Sequence, residues 1–166
     1  ELIAPGHTRH VSTGWLLVDD RLSTRRLAAL TAASAATVNV VDDYPSAAWH
    51  KLTINALVNG PGALTRKPFQ TYARPDMAQF GRRLLAEVCA VAVSDGASLD
   101  TTALDRLIDD FATATEVGVT SMQQDRLAGR PTEHDAIYGA IVRAAQRHGI
   151  AVPTVETVAA LVAAGD

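Results

Sequence analysis

The sequence predicts a small α/β segment followed by an all-helical bundle. Three observations carry this. Residues 1–43 alternate short apolar runs with one amphipathic stretch, as strand–helix–strand units do. From Tyr44 onward, apolar residues recur at helical spacing, punctuated by Gly and Pro. No internal repeat or low-complexity linker interrupts the 166 residues, a length suited to one ordinary domain or to one plus a fragment.

In chain order, Val11 to Val18 reads as a strand, with Gly6 and Gly14 as punctuation and Asp19-Asp20 as its exit. Ser23 is placed to cap a helix running to about Ala36, and Val38–Val41 is a second short strand closed by Asp42-Asp43. Two strands alone leave long unpaired edges, so this segment reads as the end of a larger sheet. Pro45 and Ser46 then start a helix that Gly60-Pro61-Gly62 should stop. Pro75-Asp76 opens a long helix, with Asp76 and Gln79 at capping-box spacing and Gly96 as its C-terminal signal. Asp100 or Thr101 opens the next, with Leu104, Leu107, Ile108 and Phe111 inward, and the pattern continues through Met122 to Gly129 with a bend near Gly118. Pro131-Thr132 starts a helix ending at His148-Gly149, with Thr132 and Asp135 at capping-box spacing. Pro153-Thr154 begins a last helix through about Ala163.

Composition excludes several function classes. Net charge is −3 with the basic residues scattered, which argues against a nucleic-acid surface. No apolar run approaches the roughly 20 residues of a membrane span, and no signal peptide opens the sequence. The single cysteine, Cys89, lies in an apolar run and reads as a buried structural thiol in a reducing cytoplasm. The five histidines form no HExxH or Cys/His cluster, so no metal site is expected, and there is no GxSxG or glycine-rich phosphate loop. The first residue is Glu, which suggests a processed or excised chain.

The stretch with chemical content is Trp49 to Asn59. Lys51, Asn55 and Asn59 step by four and stack on one face of an otherwise apolar helix. Such groups need partners or a water-filled cleft. The sequence holds thirteen Arg and only two Lys, Lys51 and Lys67. Arg stays protonated, whereas a partly buried Lys can exchange a proton, so the choice of residue fits proton transfer. A solvated helix edge is the alternative on spacing alone. Glu133, in the first turn of its helix, fits plain capping, and Ser121 an ordinary helix serine.

The ordered segments Trp49-His50-Lys51-Leu52 with Asn55 and Asn59, Glu87, Val91-Ala92 and Gly96 resemble the C-terminal half of the ketopantoate reductase (2-dehydropantoate 2-reductase) family. So do Ser121-Met122-Gln123-Gln124-Asp125, Gly129-Arg130-Pro131-Thr132-Glu133, Asp135-Ala136-Ile137, Gly139 and Gly149-Ile150-Ala151-Val152-Pro153. The resemblance implies a mainly α fold: a helical C-terminal domain of the 6-phosphogluconate-dehydrogenase-like type over 44–166. A short α/β remnant of a Rossmann nucleotide-binding domain, 1–43, would precede it. It also implies roles. Lys51 would be the general acid toward the substrate ketone, and Asn55 and Asn59 substrate-side carboxamides. Ser121 would hold the carboxylate and hydroxyl end, and Glu133 would anchor the substrate hydroxyl beside the lysine. The implied function is an NADP-dependent 2-oxo acid reductase acting on ketopantoate in pantothenate biosynthesis, in the cytoplasm. Its partners would be a small 2-oxo acid, the missing N-terminal Rossmann domain that binds NADP(H), and a second copy in a homodimer, with no nucleic acid or membrane. The family's GxGxxG loop is missing from the sequence, so this chain alone is expected to be inactive. The alternative from another class is a non-catalytic helical interaction or dimerisation module. The complete set Lys51, Asn55, Asn59, Ser121 and Glu133 favours the enzyme.

Overall fold

The structure, a computed structural model, describes residues 2–9, 15–34, 37–115 and 118–166. The chain forms two compact units, Glu1–Ala47 and Ala48–Asp166.

In the first unit, β1 (Leu2–Ala4) and β2 (His7–Thr8) pair antiparallel around Gly6, whose φ of 76° suits a residue without Cβ. β3 (Trp15–Asp19) and β4 (Thr37–Val41) pair in parallel, Trp15 with Thr37 through Asp19 with Val41, joined by α1 (Leu22–Thr31). The expected strand from Val11 lies outside the described residues as far as Gly14, and the strand seen begins at Trp15. Helix α1 starts at Leu22 rather than after a Ser23 cap: the Arg21 N–H donates to Thr24 Oγ1 at 3.0 Å and closes the first turn. It ends at Thr31, short of the expected end at Ala36. Trp15, Leu16, Leu22 and Leu30 are exposed.

The second unit is helical. Helix α2 (Tyr44–Thr65) begins in the first unit, and after it a 3₁₀ turn (Phe69–Ala73) leads to α3 (Pro75–Ser94). The bundle is completed by α4 (Thr101–Thr113), α5 (Ser121–Leu127), a π turn (Asp135–Gly139) running into α6 (Ala140–His148), and α7 (Pro153–Ala163). Helix α3 is central: it packs on α4, α6 and α7 and buries Leu84, Val88, Val91 and Ala92 against Leu104, Ile108, Ile141 and Val155. Cys89 is buried in this layer as a free thiol, and burial pushes its pKa up to about 11, which suits an inert structural residue. No helix among the described residues is long and apolar enough to cross a membrane.

Several boundaries match the sequence. Gly96, at φ 91°, ends α3 with Ala97 N–H bonded to Ala92 C=O and Gly96 N–H to Val93 C=O, a Schellman closure. The Asp100 carboxylate accepts from Ala103 N–H at 2.9 Å and caps α4. Four expectations are corrected. Helix α2 continues through Gly60-Pro61-Gly62 to Thr65. Pro75 takes the first position of α3, where its missing N–H costs nothing, so Asp76 falls inside the helix and bonds its neighbour Met77 N–H instead of capping. Helix α4 ends at Thr113 and α5 is separate, with Gly118 pressed against the Phe69 ring where no side chain fits. The helix expected at Pro131-Thr132 begins at His134, because the Thr132 hydroxyl donates to Asp166 Oδ2 (2.8 Å) instead of capping.

Candidate functional site

On α2, Lys51 is exposed, Asn55 half-buried and Asn59 buried, so the polar stripe descends from solvent into the bundle. The ammonium is therefore freer than a partly buried lysine. Lys51 and Asn55 make no hydrogen bond or ion pair to protein among the described residues. Asn59, 4% exposed, accepts at Oδ1 from Met122 N–H at 3.4 Å. That contact brings the inner end of the stripe to the first turn of α5, whose first residue is Ser121, exposed and capped by Thr120 through Gln123 N–H (3.2 Å).

Gly62 extends the same face. It lies about two turns beyond Asn55 and three beyond Lys51. A Cβ there would come within 3.2 Å of Thr120 Oγ1 and 3.3 Å of Gln123 Oε1. The absence of a side chain thus lets α5 close over the end of the stripe. Gln123 is buried, and its Oε1 has no hydrogen-bond partner among the described residues. An acceptor left without a donor in a buried position is costly, and this one lies beside Gly62. Sequence reading passed over Gln123. Its spacing is that of any helix residue, and only the fold places it against α2.

Glu133 is exposed and its side chain has no hydrogen bond or ion pair among the described residues. The backbone on either side of it is pinned. Thr132 N–H and Oγ1 reach Asp166 Oδ2 at 3.3 and 2.8 Å, and His134 Nδ1 lies 3.0 Å from the same oxygen. Burial alone would raise the Asp166 pKa, but the bonds from Thr132 and His134 and the Arg126 charge outweigh it and hold it below the usual carboxylate range. Four residues after His134, Tyr138 inserts into α2. Its hydroxyl donates to Ala56 C=O and accepts from Gly60 N–H, both at 2.6 Å. The helix that follows Glu133 is thereby fastened to the helix that carries Lys51, Asn55 and Asn59. The structure brings Asn59 together with the Ser121 turn, and it links the Glu133 segment to α2 through Tyr138.

Glu87, also part of the resemblance, has a structural place. From α3 its carboxylate accepts from Thr154 N–H (2.9 and 3.0 Å) and Val155 N–H (3.0 Å), capping α7. Asp95 joins three helices: Trp49 Nε1 (3.1 Å), Arg147 Nη2 (3.1 Å) and His148 Nε2 (2.9 Å) all meet its carboxylate. A shallow cavity of about 610 Å³ lined by Lys67, Gln70 and Arg74 lies at the end of α2 and does not include the stripe.

The family model described as ketopantoate reductase PanE/ApbA C terminal matches residues 43–166. The chain is 38% identical over 149 residues to the 2-dehydropantoate 2-reductase of Mycobacterium tuberculosis, covering 90% of this chain and 50% of that protein. It is 36% identical over 161 residues to that of Caulobacter vibrioides, covering 97% of this chain and 55% of the relative. Among solved structures, a PanE/ApbA family ketopantoate reductase from Ralstonia eutropha superposes with a TM-score of 0.87 at 32% identity, covering 99% of this chain and 55% of that one. The chain thus spans about half the length of the curated relatives it matches.

Proposed function

We propose, because this chain belongs to the ketopantoate reductase C-terminal family, that residues 44–166 are the substrate-binding and catalytic domain of an NADP-dependent 2-oxo acid reductase. Residues 1–43 are read as the end of its nucleotide-binding domain. The substrate is ketopantoate, reduced to pantoate in pantothenate biosynthesis. The observation that carries this reading is the stripe on α2: a free ammonium at the solvent end and two carboxamides leading inward to the Ser121 turn.

The residues present do not fit the nucleotide. A dinucleotide pyrophosphate needs a glycine-rich turn at a helix N-terminus. The turn into α1 is Asp19-Asp20-Arg21, where Asp19 pairs with Arg21 and Asp20 with Arg25. That turn holds no glycine, and its side-chain ion pairs stand where a pyrophosphate requires close approach to the backbone. NADP(H) is therefore assigned to the remainder of the protein.

What this chain's own groups do follows from charge. Reduction of the ketone places an alkoxide on the former carbonyl oxygen, and the Lys51 ammonium protonates it. Asn55 and Asn59 orient the oxo acid, the Ser121 hydroxyl holds its carboxylate end, and the Glu133 carboxylate accepts from the substrate hydroxyl. The test uses the full-length protein with NADPH and ketopantoate. Lys51→Ala should lower kcat by about 10²–10⁴, and Lys51→Arg should restore little, since Arg keeps the charge but not the exchangeable proton. Glu133→Ala should raise KM more than it lowers kcat. A Lys51→Ala enzyme with undiminished kcat would overturn the assignment and leave the helical module as an interaction domain.

A further inference from the structure

Helix α2 should break at Gly60-Pro61-Gly62, and two buried tyrosine hydroxyls stand where it would. Pro61 has no N–H to give the Leu57 carbonyl four residues earlier. Tyr72, from the 3₁₀ turn, donates its hydroxyl to that carbonyl at 2.6 Å. One residue closer to Lys51, the Tyr138 hydroxyl engages both partners of a single helical turn, Ala56 C=O and Gly60 N–H. A Cβ at position 60 would collide with the Tyr138 hydroxyl, so glycine there is the condition of the insertion. Tyr138 is fully buried, and burial drives its pKa upward, so the hydroxyl keeps the proton that it donates.

The turn so engaged is the one that carries the two carboxamides. Asn55 immediately precedes Ala56, and Asn59 immediately precedes Gly60. A side chain inserted at a helical ladder sets the local bend and pitch of the helix. Tyr138 also lies in a π turn, a geometry that re-aims side chains and recurs at functional sites. We propose that Tyr138 is a positioning residue of the reductase site, its hydroxyl fixing the spacing and direction of Asn55 and Asn59 while tying the helix that follows Glu133 to the same turn. This rests on the function proposed above. Tyr138 need not touch substrate; it acts through the backbone beneath the two asparagines.

The test compares Tyr138→Phe with Ile141→Val in the full-length enzyme. Ile141 is fully buried one turn further along the same helix, and its variant lowers stability without removing the inserted hydroxyl. Tyr138→Phe should raise KM for the 2-oxo acid about tenfold, the equivalent of ~1.4 kcal/mol, with kcat changed far less. Ile141→Val should leave KM unchanged. In an Asn55→Ala background the KM effect of Tyr138→Phe should shrink, because the part carried through Asn55 is already lost. An unchanged KM in Tyr138→Phe, or an effect undiminished in the Asn55→Ala background, would overturn the proposal. If Tyr138→Phe does not fold, 3-fluorotyrosine at position 138 keeps the size and alters the hydroxyl; a KM equal to wild type would then count against it. Lys51→Ala in parallel separates the two readings, since full activity there refutes the function itself.

Discussion

Removing the Glu87 carboxylate should detach α7 from the bundle at its first turn. This carboxylate satisfies the N–H groups of Thr154 and Val155, two of the donors that a helix N-terminus cannot pair internally, and Pro153 before them has none. It also places a negative charge at the positive end of the helix dipole. In Glu87→Ala both donors lose their partner at a part-buried site, at ~1–3 kcal/mol each if water cannot replace it. Partial rescue by water brings the expected total to ~2–4 kcal/mol. For a chain of this size that is roughly 5–15 °C in Tm. Glu87→Gln keeps one acceptor oxygen and loses the charge, so it should cost only ~0.5–1.5 kcal/mol. Urea unfolding of the chain followed by circular dichroism measures both, and the m-value should stay constant. A Glu87→Ala variant within ~0.5 kcal/mol of wild type, the range of an ordinary surface change, would show that the cap contributes nothing and that Glu87 belongs to the family pattern for another reason.

Two further outcomes are expected. This polypeptide by itself should show no NADPH binding by titration calorimetry, because the strand–helix–strand crossover among its described residues is entered through Asp19-Asp20 and not through a glycine-rich turn; micromolar affinity would overturn the assignment of the nucleotide to the rest of the protein. Asp95 should make acid unfolding steeper. The hydrogen bond from His148, with Arg147 and Trp49 adding to it and burial opposing, holds its carboxyl below the usual range. A depressed folded pKa gives stability that is present above the ordinary carboxylate pKa of about 4 and is lost as pH falls through the lower folded value. The stability gap between wild type and Asp95→Asn should therefore be widest near neutrality and narrow in acid; a gap independent of pH would refute the linkage.

Local signals whose partners lie within a few residues were legible in the sequence. Gly96, Asp100, Gly149 and Pro153 mark helix ends as expected, because each acts on its own turn. The stripe Lys51–Asn55–Asn59 was legible for the same reason: periodicity alone puts the three on one face. Signals with distant partners were not. Thr132 looked like a cap, but its hydroxyl is taken by Asp166, 34 residues on. Helices α4 and α5 looked continuous because apolar spacing persists across Gly118, whose real role is to admit the Phe69 ring. Spacing singles out neither Gln123 nor Tyr138, since what they meet is the backbone and glycines of α2 more than 60 residues earlier.

The misreading of Gly60-Pro61-Gly62 shows what these residues are for. Glycine twice and proline once in a helix interior disfavour it by ~5 kcal/mol together, so the segment reads as a stop. Each of the three instead answers a neighbour. Gly60 makes room for the Tyr138 hydroxyl, Pro61 leaves the carbonyl that Tyr72 fills, and Gly62 lets Thr120 and Gln123 approach. The helix persists because the bundle supplies the bonds that the local sequence removes. Had it ended after Asn59, that residue would sit on a fraying turn, free to miss Met122 N–H. Held as it is, the inner end of the polar stripe becomes one of the most constrained points of α2, while Lys51 at the other end stays in solvent and unpaired. A fixed carboxamide and a free ammonium on one helical face match what protonating a developing alkoxide requires: rigid orientation of the substrate, and a proton carried on a side chain able to follow the oxygen as its charge appears.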